Sequence, residues 1–402
     1  MSEAGVGAQV RRRRQAHGLS QERLAELAGI NLKTLAKVEN DTTGSVRLDT
    51  LHRIARALGV QTAELLSPPP GIHLDDQDAT DMTLLGIRRV LLPAGDETEG
   101  SSSPPDLKQL TRDVTQLQRR YYRGEYAALL QAVPGVIQGA RACVRQQQGQ
   151  AQDQARLVLA AAYREAGQGL IQLGQSDFGC HALDLAAGAA RDGGDEILAA
   201  DCAHSISLAY LRQRRLTDAE EHCTTAADAI EPRSIRRASG LQLAVWGNLL
   251  LRASASAARN NQPGRAGELL RAASAAAEMY RPEPSPLIST SFGPTYVRMM
   301  AVEHAVVAFD GAEALRRSRT VQDLGSVLPT CHSRHLLDVA NAQLMQGQPR
   351  KAVDILITLK RRRPQWLKQQ RYAADLTRSM LDSRARRAGR ELAELAQFLS
   401  VA

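Results

Sequence analysis

This 402-residue sequence predicts an all-α protein. Aromatic residues make up only 3% of it while alanine and leucine are abundant, and Ala-rich helices pack closely with little bulk. From Leu107 onward apolar residues recur at helical spacing, and no stretch alternates as a half-buried strand does. Hydrophobic residues amount to 43%, enough for packed cores, and the length favours two or more domains.

The first element is a compact block ending at Leu66. Within it Ser20 is a good N-cap for a short helix starting at Gln21, whose inner face is Leu24, Ala25 and Ala28. Gly29 suits the left-handed turn that ends this helix, and Asn31 caps the next one, which points Leu35 and Val38 inward. Two short helices joined by a tight Gly-containing turn form a helix-turn-helix unit.

The motifs Leu19-Ser20-Gln21-Glu22-x-Leu24-Ala25, Ala28-Gly29-Ile30 and Val38-Glu39-Asn40 resemble the phage-repressor-type (XRE) family. The closing Leu51-x2-Ile54-Ala55-x2-Leu58-Gly59-Val60 fits its fourth helix and the turn into a fifth. The resemblance implies a five-helix DNA-binding domain over residues 1–66, with the start of the second helix of the unit entering the major groove. Leu32, Lys33, Thr34 and Lys37 are then the base-reading candidates: Lys33 for guanine O6/N7, Leu32 for a thymine methyl. Gln21, Arg11, Arg12, Thr43 and Ser45 become phosphate candidates, Gln21 because it opens a helix whose amides attract anions. Arg14 and Glu39 match a structural pair that ties the first helix to the third, and Arg13 stands where the family usually has leucine.

The second zone, residues 67–106, reads as a linker with one short helix. Ser67-Pro68-Pro69-Pro70-Gly71 forbids helix continuation, Met82 to Leu92 is apolar, and an acidic Gly/Ser/Pro stretch follows Pro93. This zone carries eight acidic side chains against two basic ones, whereas the whole chain is net +8. A basic chain with an acidic connector is compatible with a nucleic-acid partner.

The third zone, residues 107–402, repeats itself. Tyr163-x2-Ala166-Gly167-x2-Leu170 is followed by Gly174 and then Gly179-x3-Leu183. Ala203-x2-Ile206-Ser207-x2-Tyr210 precedes Ala219-x3-Cys223, and Leu250-x2-Ala253-Ser254-x2-Ala257 precedes Ala266-x3-Leu270. Leu336-x2-Val339-Ala340-x2-Gln343 precedes Gly347 and Ala352-x3-Leu356. Small residues sit where the two helices of a hairpin must touch. The pattern resembles tetratricopeptide repeats, which stack into a superhelix, although the family tryptophan is missing and the spacing exceeds 34 residues. A TPR-like array of five to seven hairpins is expected. Pro282 to Pro294 breaks the helical rhythm, and either lines a ligand groove or turns the chain, the turn being slightly favoured. Ser291-Phe292-Gly293-Pro294-Thr295 resembles a recurring segment of actinomycete-type regulators with this two-part build.

Several function classes lose support. No P-loop, dinucleotide fingerprint, H-E-x-x-H or G-x-S-x-G occurs, so no catalytic residues and no cofactor are expected. The five cysteines are scattered without a C-x-x-C, and His332-x-x-His335 beside Cys331 lacks a further ligand at metal-site spacing, so no metal is expected. Arg361-Arg362-Arg363 with Trp366 reads as a solvated helix end. Without a run of 18 apolar residues or a signal segment, no membrane contact and a cytoplasmic location are expected.

The resulting expectation is a transcription regulator that binds double-stranded DNA as a homodimer. Resemblance to quorum-sensing regulators of similar architecture implies that the repeat domain senses a peptide or small molecule. Two rival readings are a DNA-bound adaptor whose repeats recruit a protein partner, and an antitoxin-like repressor, against which the long repeat domain argues.

Overall fold

A computed structural model describes residues 6–40, 46–60, 62–65, 78–92, 106–382 and 389–401. Among these residues every regular element is helical. Helices α1 (Val6–Ala16), α2 (Gln21–Ala28), α3 (Leu32–Glu39) and α4 (Leu48–Leu58) are followed by a 3₁₀ turn, Thr62–Leu65, in the place of the fifth helix. They enclose their own core, in which Val10, Leu24, Leu35, Leu51, Ile54 and Leu65 have no solvent exposure.

Helix α5 (Asp78–Leu91) begins four residues before the apolar run and belongs to a different core. Its Leu84, Ile87, Val90 and Leu91 are buried in one cluster with α6 (Leu107–Arg123) and α7 (Tyr126–Gln146). Burying an apolar face is what stabilises a short helix that would be marginal alone. Helix α7, with mean hydropathy 1.2, is the one described helix long and apolar enough to cross a membrane. Here its Leu129, Leu130, Val133 and Ile137 are fully buried in the core of the array.

Antiparallel hairpins then follow one another. They pair α8 (Gln150–Gln172) with α9 (Ser176–Asp192), α10 (Glu196–Arg212) with α11 (Leu216–Ala229), and α12 (Gly240–Arg259) with α13 (Pro263–Met279). Next come α14 (Pro294–Val307) with α15 (Gly311–Ser318), and α16 (Pro329–Met345) with α17 (Pro349–Arg362). A short α18 (Pro364–Lys368), α19 (Arg371–Asp382) and α20 (Gly389–Phe398) end the chain.

One packing rule recurs in these hairpins: residues twelve apart meet where the two helices cross. A Cβ on Gly167 would lie 2.8 Å from the Gly179 carbonyl oxygen, so both positions must stay bare. Ser207 instead donates its hydroxyl to the Ala219 carbonyl at 2.8 Å, and Ser254 does the same to Ala266 at 2.7 Å. Ala340 and Ala352 are both fully buried at the equivalent spacing. A larger side chain at such a crossing would push the helices apart, costing about 1–3 kcal/mol.

A second rule concerns the turns. Each hairpin turn places one residue in the left-handed region, two positions before the second helix. Three are glycines, Gly124 (φ 79°), Gly174 (φ 84°) and Gly347 (φ 68°). The other three are Arg214 (φ 66°), Asn261 (φ 59°) and Phe309 (φ 60°). A left-handed residue with a side chain costs about 1–2 kcal/mol unless it is Asn or Asp, so Phe309 requires a compensating contact.

The first hairpin also meets the end of the array. Tyr126 is buried in one cluster with Leu337, Leu356 and Trp366, and Arg363 Nη1 donates to the Tyr122 carbonyl at 3.1 Å. Between α8 and α10 lies a buried charge cluster, where Arg164 pairs with Asp201 at 2.5 Å and with Glu165 at 2.6 Å.

Candidate nucleic-acid interface

The geometry of α2 and α3 follows from three local residues. Ser20 Oγ accepts the Arg23 N–H at 3.1 Å and starts α2. Gly29 takes φ 61° and ends it, while the Ile30 N–H bonds the Ala25 carbonyl at 3.0 Å. Asn31 Oδ1 then accepts the Lys33 N–H at 2.9 Å and starts α3. Leu24, Ala25, Ala28, Leu35 and Val38 turn inward, which leaves the first turn of α3 outermost. Leu32, Lys33, Thr34 and Lys37 are all exposed there, Leu32 with 40% of its surface accessible to solvent. An apolar side chain displayed beside an ammonium and a hydroxyl at a helix start suits the mixed chemistry of a major-groove edge.

Behind this face sits an ion pair with no vacancy. Arg14 donates Nε to Glu39 Oε1 at 2.7 Å and Nη2 to Oε2 at 3.0 Å, and its Nη1 reaches the Leu19 carbonyl at 2.8 Å. Burial alone would raise the Glu39 pKa. The bonds from Arg14 and Gln21, with the nearby charges of Arg14 and Arg11, outweigh it and hold the carboxyl below its usual range. One guanidinium therefore joins α1, α3 and the loop before α2.

The phosphate candidates are placed unevenly. Gln21 turns its amide to Glu39 Oε2 at 2.7 Å, so its side chain supports the reading helix from behind. Arg11 Nη2 donates to Asn40 Oδ1 at 2.6 Å and to the Glu39 carbonyl at 3.2 Å, which fixes it across the end of α3. Nothing is described of the Arg12 side chain, and Thr43 and Ser45 lie outside the described residues. His332 and His335 both lie on α16, and among the described residues no group of three potential metal ligands forms.

Residues 10–65 match the helix-turn-helix family. Residues 10–65 are an XRE-type helix-turn-helix domain. The helix-turn-helix domain accompanies a 29% identity over 102 residues to the HTH-type transcriptional regulator PuuR of Escherichia coli K12. That alignment covers 24% of this chain and 55% of PuuR, and PuuR of Shigella flexneri matches equally. The chain thus spans about half the length of the curated relatives it matches. Among solved structures, Bacillus thuringiensis PlcR in complex with the peptide PapR7 and DNA overlaps 69% of this chain and 95% of its own, at 15% identity and a TM-score of 0.27. The apo competence regulator ComR of Streptococcus vestibularis overlaps 70% of this chain and 94% of its own, at 14% identity and a TM-score of 0.23.

The helix-turn-helix domain is seated on the helical array through α4 and the 3₁₀ turn, a contact that nothing in the sequence motifs indicated. His52 Nδ1 donates to the Arg259 carbonyl at 2.8 Å, and Arg56 Nη1 donates to the Ala308 carbonyl at 2.6 Å. Asn261 Nδ2 donates to the Val60 carbonyl at 3.2 Å, and the Arg53 guanidinium lies 4.1 Å above the Phe309 ring. The ring contact offsets part of the strain in the left-handed backbone of Phe309. Burial, with the charges of Arg259 and Arg56, lowers the His52 pKa despite its bond to the Arg259 carbonyl. A neutral ring donating from Nδ1 is therefore the stable form near pH 7. The available signal was a histidine on the apolar face of α4 and two hairpin turns that forgo glycine.

Proposed function

We propose that the chain is a sequence-specific, DNA-binding transcription regulator built in two parts. Residues 1–66 read DNA; residues 107–402, joined through 67–106, form a TPR-like array that dimerises and senses a peptide or small-molecule signal. The observation that carries the DNA reading is the exposed first turn of α3, with Leu32, Lys33 and Thr34 presented by a helix whose buried Glu39 has both carboxylate oxygens bonded. Names of the curated relatives, HTH-type transcriptional regulators, support the same reading. Sensing is supported by polar atoms in the array that lack partners: Glu165 Oε2, Gln168 Oε1 and Arg252 Nε. Buried polar groups are normally satisfied, so such atoms leave bonding capacity inside the array for water or a ligand.

A homodimer would place two reading helices on half-sites about 34–36 Å apart, and the target would be a near-palindrome. Footprinting of the full chain on its strongest genomic site tests this, with two protected half-sites expected. In gel-shift titrations Lys33→Ala should lose about 1–3 kcal/mol of discrimination between the target and a site with the contacted base changed. Equal, weak and salt-erased binding of every duplex by the wild-type chain would end the reading.

A further inference from the structure

The proline-interrupted segment before α14 forms one wall of a cleft rather than a plain turn. Its position is fixed from α6: Gln118 Nε2 donates to the Pro286 carbonyl at 3.4 Å, and the Tyr122 hydroxyl bonds the Ser289 carbonyl. The loop before α16 closes a third side, where the Leu328 N–H donates to Ser291 Oγ at 2.6 Å. Between these walls lies an open cavity of about 340 Å³. That is at the small end of the range for small-molecule sites.

Two guanidinium groups face this cavity without partners. Arg119 and Arg123 stand one helical turn apart on α6, both exposed, and neither has a hydrogen bond or ion pair among the described residues. The rest of the lining adds hydroxyls from Thr115, Ser285 and Ser289, and apolar surface from Leu328 and Pro329. The nearest acidic candidate on this segment, Glu283, is turned away and accepts the Leu241 N–H at the start of α12, at 3.1 Å. The half-buried Arg363, bonded to the Tyr122 carbonyl, adds further positive charge behind the wall. Arginine forks match carboxylate and phosphate oxygens in pairs, and hydroxyls complete the remaining lone pairs.

We propose that this cleft binds a small anionic ligand through a carboxylate or phosphate group held by Arg119 and Arg123. Its regulatory meaning rests on the sensor reading above; the binding itself does not. The apolar strip of Leu328 and Pro329 receives a short organic body, and Thr115 and Ser289 orient the head group.

Calorimetric titration of the full chain with glutarate, and separately with inorganic phosphate, tests the proposal. A saturable single site is expected for at least one probe, and which probe binds distinguishes carboxylate from phosphate recognition. Arg119→Gln/Arg123→Gln should weaken it by about tenfold or more, since each guanidinium contributes charge-assisted bonds. Both residues are exposed, so the double variant should melt like the wild type. Arg350→Gln/Lys351→Gln, which removes the same charge from an exposed part of α17, should bind normally. No binding of either probe, or equal binding by wild type and the Arg119/Arg123 variant, overturns the proposal. A gel shift with the bound probe separates the two claims: binding without any change in DNA affinity keeps the site and removes its sensory role.

Discussion

The helix-turn-helix domain and the helical array each bury a glutamate against an arginine, and they do so with opposite results. In the domain, one arginine faces one carboxylate, and both oxygens of Glu39 are bonded by Arg14, with a further bond from Gln21. In the array, Arg164 faces two carboxylates, Asp201 and Glu165, and Glu165 Oε2 is left with no partner. Glu39 is held below the usual carboxylate range; burial pushes Glu165 up to about 7 although Arg164 opposes it. Both side chains are at most 1% exposed, yet Glu165 is enclosed far more deeply than Glu39, so greater depth and fewer donors per carboxylate push Glu165 the same way.

The sharpest way to break this comparison is to remove the donor that makes two of the bonds to Glu39. Arg14→Ala leaves Glu39 buried beside α1 and α3 with most of its bonds gone, and should cost about 3–5 kcal/mol. A domain of this size has little stability in reserve. The variant should therefore lose DNA binding and expose residues 1–66 to protease, while circular dichroism still reports the helices of the array. An unchanged melt would mean that the pair contributes no more than a surface ion pair.

The pH dependences of the two carboxyls should run in opposite directions. Glu39, with a lowered pKa, stabilises the domain above the ordinary carboxylate pKa, and that contribution disappears as pH falls through its folded value. Glu165, with a raised pKa, costs nothing while it is protonated in both states. Its penalty grows as pH rises from the ordinary range to about 7 and is complete above it. Glu165→Gln should thus stabilise the array by about 1–3 kcal/mol at pH 8 and by almost nothing at pH 4. Calorimetry at the two pH values checks this. Destabilisation at pH 8 would show that the Arg164 bond to an ionised Glu165 outweighs its burial.

Much of this was legible in the sequence, for a physical reason. Caps and tight turns depend on residues a few positions apart, so Ser20, Gly29 and Asn31 announced α2 and α3. The hairpin crossings were also legible, because Gly167, Ser207, Ser254 and Ala340 recur with their small partners twelve residues on. What stayed hidden was long-range. Gln21 carries no sign that it faces Glu39 rather than a phosphate, and α5 reads as a linker helix until α7 is there to cover its apolar face. The cleft at Arg119 and Arg123 joins residues more than 160 positions apart, so the prolines could equally have marked a simple turn. Likewise, His52 and Phe309 become partners only once the domain is seated.

That seating yields the smallest expected effect and the most specific one. Phe309 spends about 1–2 kcal/mol on a left-handed backbone that glycine adopts freely at the same place in three other turns. Its ring returns a cation–π contact with Arg53, worth about 0.5–1 kcal/mol for a guanidinium still partly in water, and a tilted contact with His52 at 5.7 Å. Phe309→Gly removes cost and return together, so the melting temperature of the array should hardly move. Phe309→Ala keeps the strain and loses the ring, so it should be the less stable of the two by about 1 kcal/mol. Both variants should speed amide hydrogen exchange in α4 equally, because the loss of the ring loosens the seat in each. If α4 exchanged at the wild-type rate in both, the hydrogen bonds from His52, Arg56 and Asn261 would suffice to hold the domain. The side chain at position 309 would then have no part in joining the two regions.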